Sequence, residues 1–103
     1  MKIKGAKIII TGGSSGIGLA AAELLVKKGA QVVICGRNKK SLLEAAQQIG
    51  AIPIVADVTK ENEAIKLVKN AIKRMNGLDV LINNAGFGYF DLLQNIDVDK
   101  FKA

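Results

Sequence analysis

Apolar runs and stretches of helical period alternate along this chain. Residues 7–10 end in Ile8, Ile9 and Ile10, an uninterrupted run of the kind buried on both faces of a parallel sheet, and predict a first strand. Ile17, Ala20, Ala21, Leu24, Leu25 and Lys28 then recur at helical spacing, a stripe expected to pack on the sheet, with Gly29 placed to end the helix. Residues 31–35 predict a second strand. Asn38 suits the cap of a second helix carrying Leu42, Ala45, Ala46 and Ile49, and Gly50 closes it. Residues 51–56 predict a third strand. Pro53 inside it has no N–H to donate, which assigns that strand to a sheet edge. Thr59 is expected to cap a third helix with Ile65, Val68, Ala71, Ile72 and Met75 inward, stopped at Asn76-Gly77. Residues 79–83 predict a fourth strand, residues 84–99 a glycine-punctuated loop, and residues 98–103 the opening of another helix.

Strands alternating with helices over short connections imply right-handed βαβ units, hence one α/β domain over residues 1–103 with a parallel sheet and helices on both faces. The doubly wound strand order is 3-2-1-4. Its switch point lies between the first and fourth strands, so the loops after those two strands are expected to face each other across a ligand crevice.

Composition changes this picture little. The chain has 103 residues, 50% hydrophobic and 23% charged, as suits a single compact domain. A net charge of +6 could suggest nucleic acid. The basic residues are scattered, however, and the aromatics are few, so solvated lysine faces are expected, with a field that draws anionic ligands. One cysteine, Cys35, cannot form an internal disulfide; with no secretory signal or long uncharged apolar stretch, a cytoplasmic protein without membrane contact is expected. The absence of histidine makes a transition-metal site unexpected.

Chemistry concentrates in Thr11-Gly12-Gly13-Ser14-Ser15-Gly16-Ile17-Gly18, between the first strand and the first helix. Its glycines allow a sharp turn and close approach to a ligand, and the first N–H groups of the following helix point outward. Those donors and the positive end of the helix dipole suit a phosphate. A P-loop is excluded, because Leu19 and Ala20 stand where Lys and Ser/Thr would be required.

That loop, Asp57-Val58 after the third strand, and Asn83-Asn84-Ala85-Gly86 after the fourth together resemble the short-chain dehydrogenase/reductases, over the cofactor-binding half of a typical member. The resemblance implies a Rossmann-type domain cut off before the catalytic half. It implies that the loop bearing Gly12, Ser14, Ser15, Gly16, Ile17 and Gly18 holds the cofactor pyrophosphate. Asp57, with Val58 beside it, would accept from the adenine amino group, and Asn84, Ala85 and Gly86 would line the adenosine ribose and steady the sheet. The end of the second strand lies near the ribose 2′ position in this architecture. There Gly36 leaves out the acid that would repel a 2′-phosphate, and Arg37, followed by Asn38, offers a guanidinium suited to phosphate and to adenine stacking. NADP(H) is therefore expected in preference to NAD(H).

The family's proton donor is a Tyr followed four residues later by a Lys, with a Ser upstream and an Asn in the helix after the fourth strand. The single tyrosine here, Tyr89, is followed four residues later by Leu93. No catalytic residue is assigned; Asp91, Asp97 and Asp99 read as turn and cap residues. Two readings stand at this point. One is the NADP(H)-binding part of an oxidoreductase acting on a carbonyl/alcohol pair, with a small-molecule substrate only in a complete relative. The other is a non-catalytic dinucleotide-binding module or remnant. An apolar fourth strand left at the sheet edge could also be covered by self-association about a two-fold axis.

Overall fold

A computed structural model describes residues 2–84, which form β1 (Lys7–Thr11), α1 (Gly16–Lys27), β2 (Gln31–Gly36), α2 (Lys39–Ile49), β3 (Ile52–Val55), α3 (Glu61–Met75) and β4 (Val80–Asn83). The four strands make one parallel sheet in the order β3-β2-β1-β4, as the alternation implies. Pro53 lies opposite Ile34 in β3, an edge strand, where its missing donor costs no inner ladder bond. Expected loops and helix turns at residues 85–103, including Ala85, Gly86 and Tyr89, lie outside the described residues.

Alternation along the two central strands assigns each helix its face. Ile8 and Ile10 of β1 and Val32 and Ile34 of β2 pack with α2 through Leu42, Ala45, Ala46 and Ile49, and with α1 through Ala22. Ile9, Val33 and Cys35 point the other way, onto Ala64, Leu67, Val68, Ala71, Ile72 and Met75 of α3. Ile9 and Ile10 are both 0% exposed; burying each contributes roughly 1.5–3 kcal/mol. At the end remote from the glycine loop, Asp79 clamps the start of β1. Its carboxylate accepts from Lys7 N at 2.9 Å, while its own N–H donates to Lys7 O at 2.8 Å.

Two helices differ from their expected faces or starts. In α1 only Ala21 and Leu25 of the stripe Ile17, Ala20, Ala21, Leu24, Leu25 and Lys28 pack inward: Ile17 is 82% and Leu24 54% exposed, and the buried residues are Gly18 and Ala22. Leu19, Ala21, Leu25 and Val26 complete the packed side. The helix is apolar nearly all round, so periodicity selects no face. The close seat of Gly18 against the preceding loop selects it instead. In α3 the N-cap is Lys60 without a side-chain cap bond, because the Thr59 hydroxyl turns back to Asp57. Ile65 is half-buried, and Ala64 and Leu67 occupy the core beside Val68.

Candidate functional site

The carboxyl ends of β1, β2 and β3 open onto a cleft of about 390 Å³. Its wall runs from Gly12 and Ser14, through Cys35, Gly36, Arg37 and Asn38, to Ala56, Asp57, Val58 and Thr59. Six residues expected from the sequence therefore meet in one place: Gly12, Ser14, Arg37, Asn38, Asp57 and Val58. Cys35, Gly36, Ala56 and Thr59 join them. Three of these last four read locally as strand, strand-end and cap residues, and only the parallel register brings their strand ends side by side.

The loop after β1 is held on both sides. Gly12 has φ +67°, a left-handed conformation that favours glycine, and its N–H donates to Cys35 O at 3.1 Å. Its carbonyl accepts from Asn84 Nδ2 at 3.3 Å. Gly18 sits directly on this contact: a Cβ there would run into Gly12 O and come within 2.6 Å of Asn84 Nδ2. One turn earlier, Ser15 caps α1 with extended backbone and no side-chain hydrogen bond, and no acidic residue stands in the first turn. The amides of Gly16, Ile17 and Gly18 thus begin the helix without a side-chain acceptor, the arrangement a phosphate complements. Ser15, Gly16, Ile17 and Gly18 do not line the cleft; they belong to this helix start beside it. The Ile17 side chain is exposed to solvent.

Between β1 and β4 the switch point is bridged by side chains. Thr11, 0% exposed, donates its hydroxyl to Asn83 Oδ1 at 2.9 Å. Asn84 adds the bond to Gly12 just described. Of the four-residue stretch after β4, Asn83 and Asn84 therefore tie the sheet to the glycine loop, while Ala85 and Gly86 lie outside the described residues.

On the far wall, Asp57 Oδ1 accepts from Thr59 Oγ1 at 2.6 Å and from Thr59 N at 3.0 Å. These bonds hold the Asp57 carboxyl below its ordinary value of 3.8, and the nearby charges of Arg37 and Lys60 act in the same direction. Asp57 is therefore an anion at neutral pH, able to accept from an amino group. Arg37, directly after β2, lines the same cleft, and Gly36 beside it adds no side chain. Asn38 is used structurally as well: its Oδ1 accepts from Ser41 N at 3.1 Å and caps α2. Burial pushes the Cys35 thiol up to about 11, so it is a neutral part of the wall and no nucleophile. Among the described residues no group of three or more Cys, Asp or Glu side chains could hold a metal ion, and no helix is long and apolar enough to cross a membrane.

A donor-rich helix start, a cation beside the second strand and an anion beyond the third suit a dinucleotide lying across the strand ends. Comparison with known proteins agrees. The family model for short chain dehydrogenases matches residues 6–103. An uncharacterized oxidoreductase of Staphylococcus aureus is 41% identical over 98 residues, covering 92% of this chain and 42% of that protein. A glucose 1-dehydrogenase of Gluconobacter oxydans is 36% identical over 108 residues, covering 99% of this chain and 41% of its own length. Among solved structures, a 3-ketoacyl-(acyl-carrier-protein) reductase from Brucella melitensis complexed with NADH superposes with TM-score 0.74 at 33% identity, covering 77% of this chain and 33% of that one. The chain thus spans about two-fifths of the length of these curated relatives.

Proposed function

We infer, since this chain belongs to the short-chain dehydrogenase family, that it forms the NADP(H)-binding part of an oxidoreductase acting on a carbonyl/alcohol pair. The observation that carries the reading is the single cleft joining Gly12 and Ser14, Arg37, and Asp57. When bound, the nicotinamide supplies or accepts the hydride; the residues of this chain bind and orient the other end of the cofactor. Amides at the start of α1 receive the pyrophosphate. Asp57 accepts from the adenine amino group, and Asn84 holds the glycine loop in place through Gly12 O.

NADP(H) is preferred over NAD(H) because Gly36 presents no carboxylate to a 2′-phosphate and Arg37 presents a guanidinium that matches its geometry. The Brucella reductase is complexed with NADH, so the preference here rests on this chain's own cleft. A cytoplasmic location, expected from a lone unpaired cysteine, belongs to the same reading.

Titration with NADPH and NADH, followed by nicotinamide fluorescence and by thermal stabilisation, tests this directly. The wild type is expected to bind NADPH more tightly, and Gly36→Asp combined with Arg37→Ala to reverse the order. A preference unchanged in the double variant overturns the assignment to Arg37. A folded chain that binds neither nucleotide overturns the function and leaves the loop as architecture alone.

A further inference from the structure

We propose that Glu63 is the positioning residue for the adenine end of the nucleotide site, acting through the backbone of Asp57; this rests on the reading that Asp57 meets the adenine amino group. The sheet does not hold Asp57. The last bond from β3's end to β2 is Ala56 N to Gly36 O at 3.0 Å, and the next amide, that of Asp57, projects beyond the ladder. Glu63 receives it: Oε1 accepts from Asp57 N at 2.8 Å in a partly buried setting.

Glu63 is the third residue of α3, a position whose carboxylate commonly reaches back to the N-cap amide and is favoured by the helix dipole. Here the N-cap amide, Lys60 N, already donates to Asp57 O at 3.1 Å. Glu63 reaches three residues further and takes Asp57 N, while its other oxygen lies 3.8 Å from Lys60 Nζ. Every backbone polar group of Asp57 is then engaged by the start of α3, and Thr59 engages Oδ1 of its side chain. Oδ2 stands outside these contacts, on a residue that lines the cleft. Glu63 itself is not among the lining residues, so it acts on the ligand by fixing where Asp57 Oδ2 stands.

The test compares NADPH with its hypoxanthine analogue, in which a carbonyl oxygen replaces the amino group that a carboxylate would accept from. In the wild type NADPH is expected to bind more tightly than the analogue. Glu63→Ala is expected to lose about tenfold in NADPH affinity, the effect of a hydrogen bond to a charged group, and little for the analogue, so the ratio collapses. Glu63→Gln, which keeps an acceptor oxygen, is expected to stay within about threefold of the wild type. In parallel, amide hydrogen exchange at Asp57 is expected to be slow in the wild type and in Glu63→Gln. Should Glu63→Ala unfold, Glu63→Asp, one methylene shorter, carries the same comparison. Equal losses for both nucleotides, or a ratio unchanged in Glu63→Ala, overturn the role of Glu63 and leave the function standing. A wild type that binds both nucleotides equally overturns the reading of Asp57, and the role of Glu63 falls with it.

Discussion

Thr11 and Asn83, 72 residues apart in sequence, join the ends of β1 and β4 through a 2.9 Å hydrogen bond from the Thr11 hydroxyl to Asn83 Oδ1. Each neighbours a residue of the glycine-loop contact, since Gly12 O accepts from Asn84 Nδ2. Replacing Thr11 by Val keeps the β-branched shape and removes the donor. The expected cost is about 1–2 kcal/mol, read as a lower urea midpoint with an unchanged slope, together with weaker NADPH binding. An unchanged midpoint would mean that the bond contributes nothing to the fold.

Gly18→Ala places a methyl against Gly12 O and Asn84 Nδ2, atoms of a backbone and of a side chain that hold each other. Neither can yield without moving the loop. Overpacking of this kind is expected to destabilise by about 1–3 kcal/mol and to reduce NADPH affinity more than thermal stability alone accounts for. Full affinity in a folded Gly18→Ala chain would show that the loop tolerates displacement.

Thr59→Ala removes the hydroxyl that contributes most to lowering the Asp57 pKa. The carboxyl titration midpoint of Asp57, followed by NMR, is expected to move up toward 3.8, the value without such contacts. Because the folded value is depressed, these contacts contribute stability above the unfolded value and lose it as pH falls through the folded one. Acid unfolding of the wild type is therefore expected to include a step below 3.8 that shrinks in Thr59→Ala. An unmoved midpoint would place the Thr59 hydroxyl elsewhere in solution.

Cys35 tests the burial of the cleft's inner wall. Its thiol is raised from 9.0 to about 11 by desolvation. The neutral thiol stabilises the fold below the unfolded value, and that contribution is lost as pH rises from about 9 through about 11. Alkylation at pH 8 is expected to be at least about 100-fold slower in the native chain than in urea, through low thiolate fraction and restricted access. Comparable rates would mean that the β2 end opens readily.

Sequence alone determined the strand and helix alternation, the edge place of Pro53 and the inward stripe of α2, because each follows from a local property: unbroken apolar runs, a missing donor, one clear apolar face; the strand order followed from the doubly wound arrangement that such an alternation adopts. It also marked Gly12, Ser14, Arg37, Asn38, Asp57 and Val58, which sit in the loops after three strands that a parallel register must bring together. Tertiary structure alone decided which side of α1 is buried, since a helix apolar nearly all round packs by its closest backbone approach, at Gly18. It likewise decided that Thr59 serves Asp57 instead of capping α3, and that Glu63 holds the Asp57 amide. Residue spacing carries the period of an element, whereas a hydrogen bond between elements depends on where their ends come to rest. That is settled only when the sheet closes and the helices seat against it.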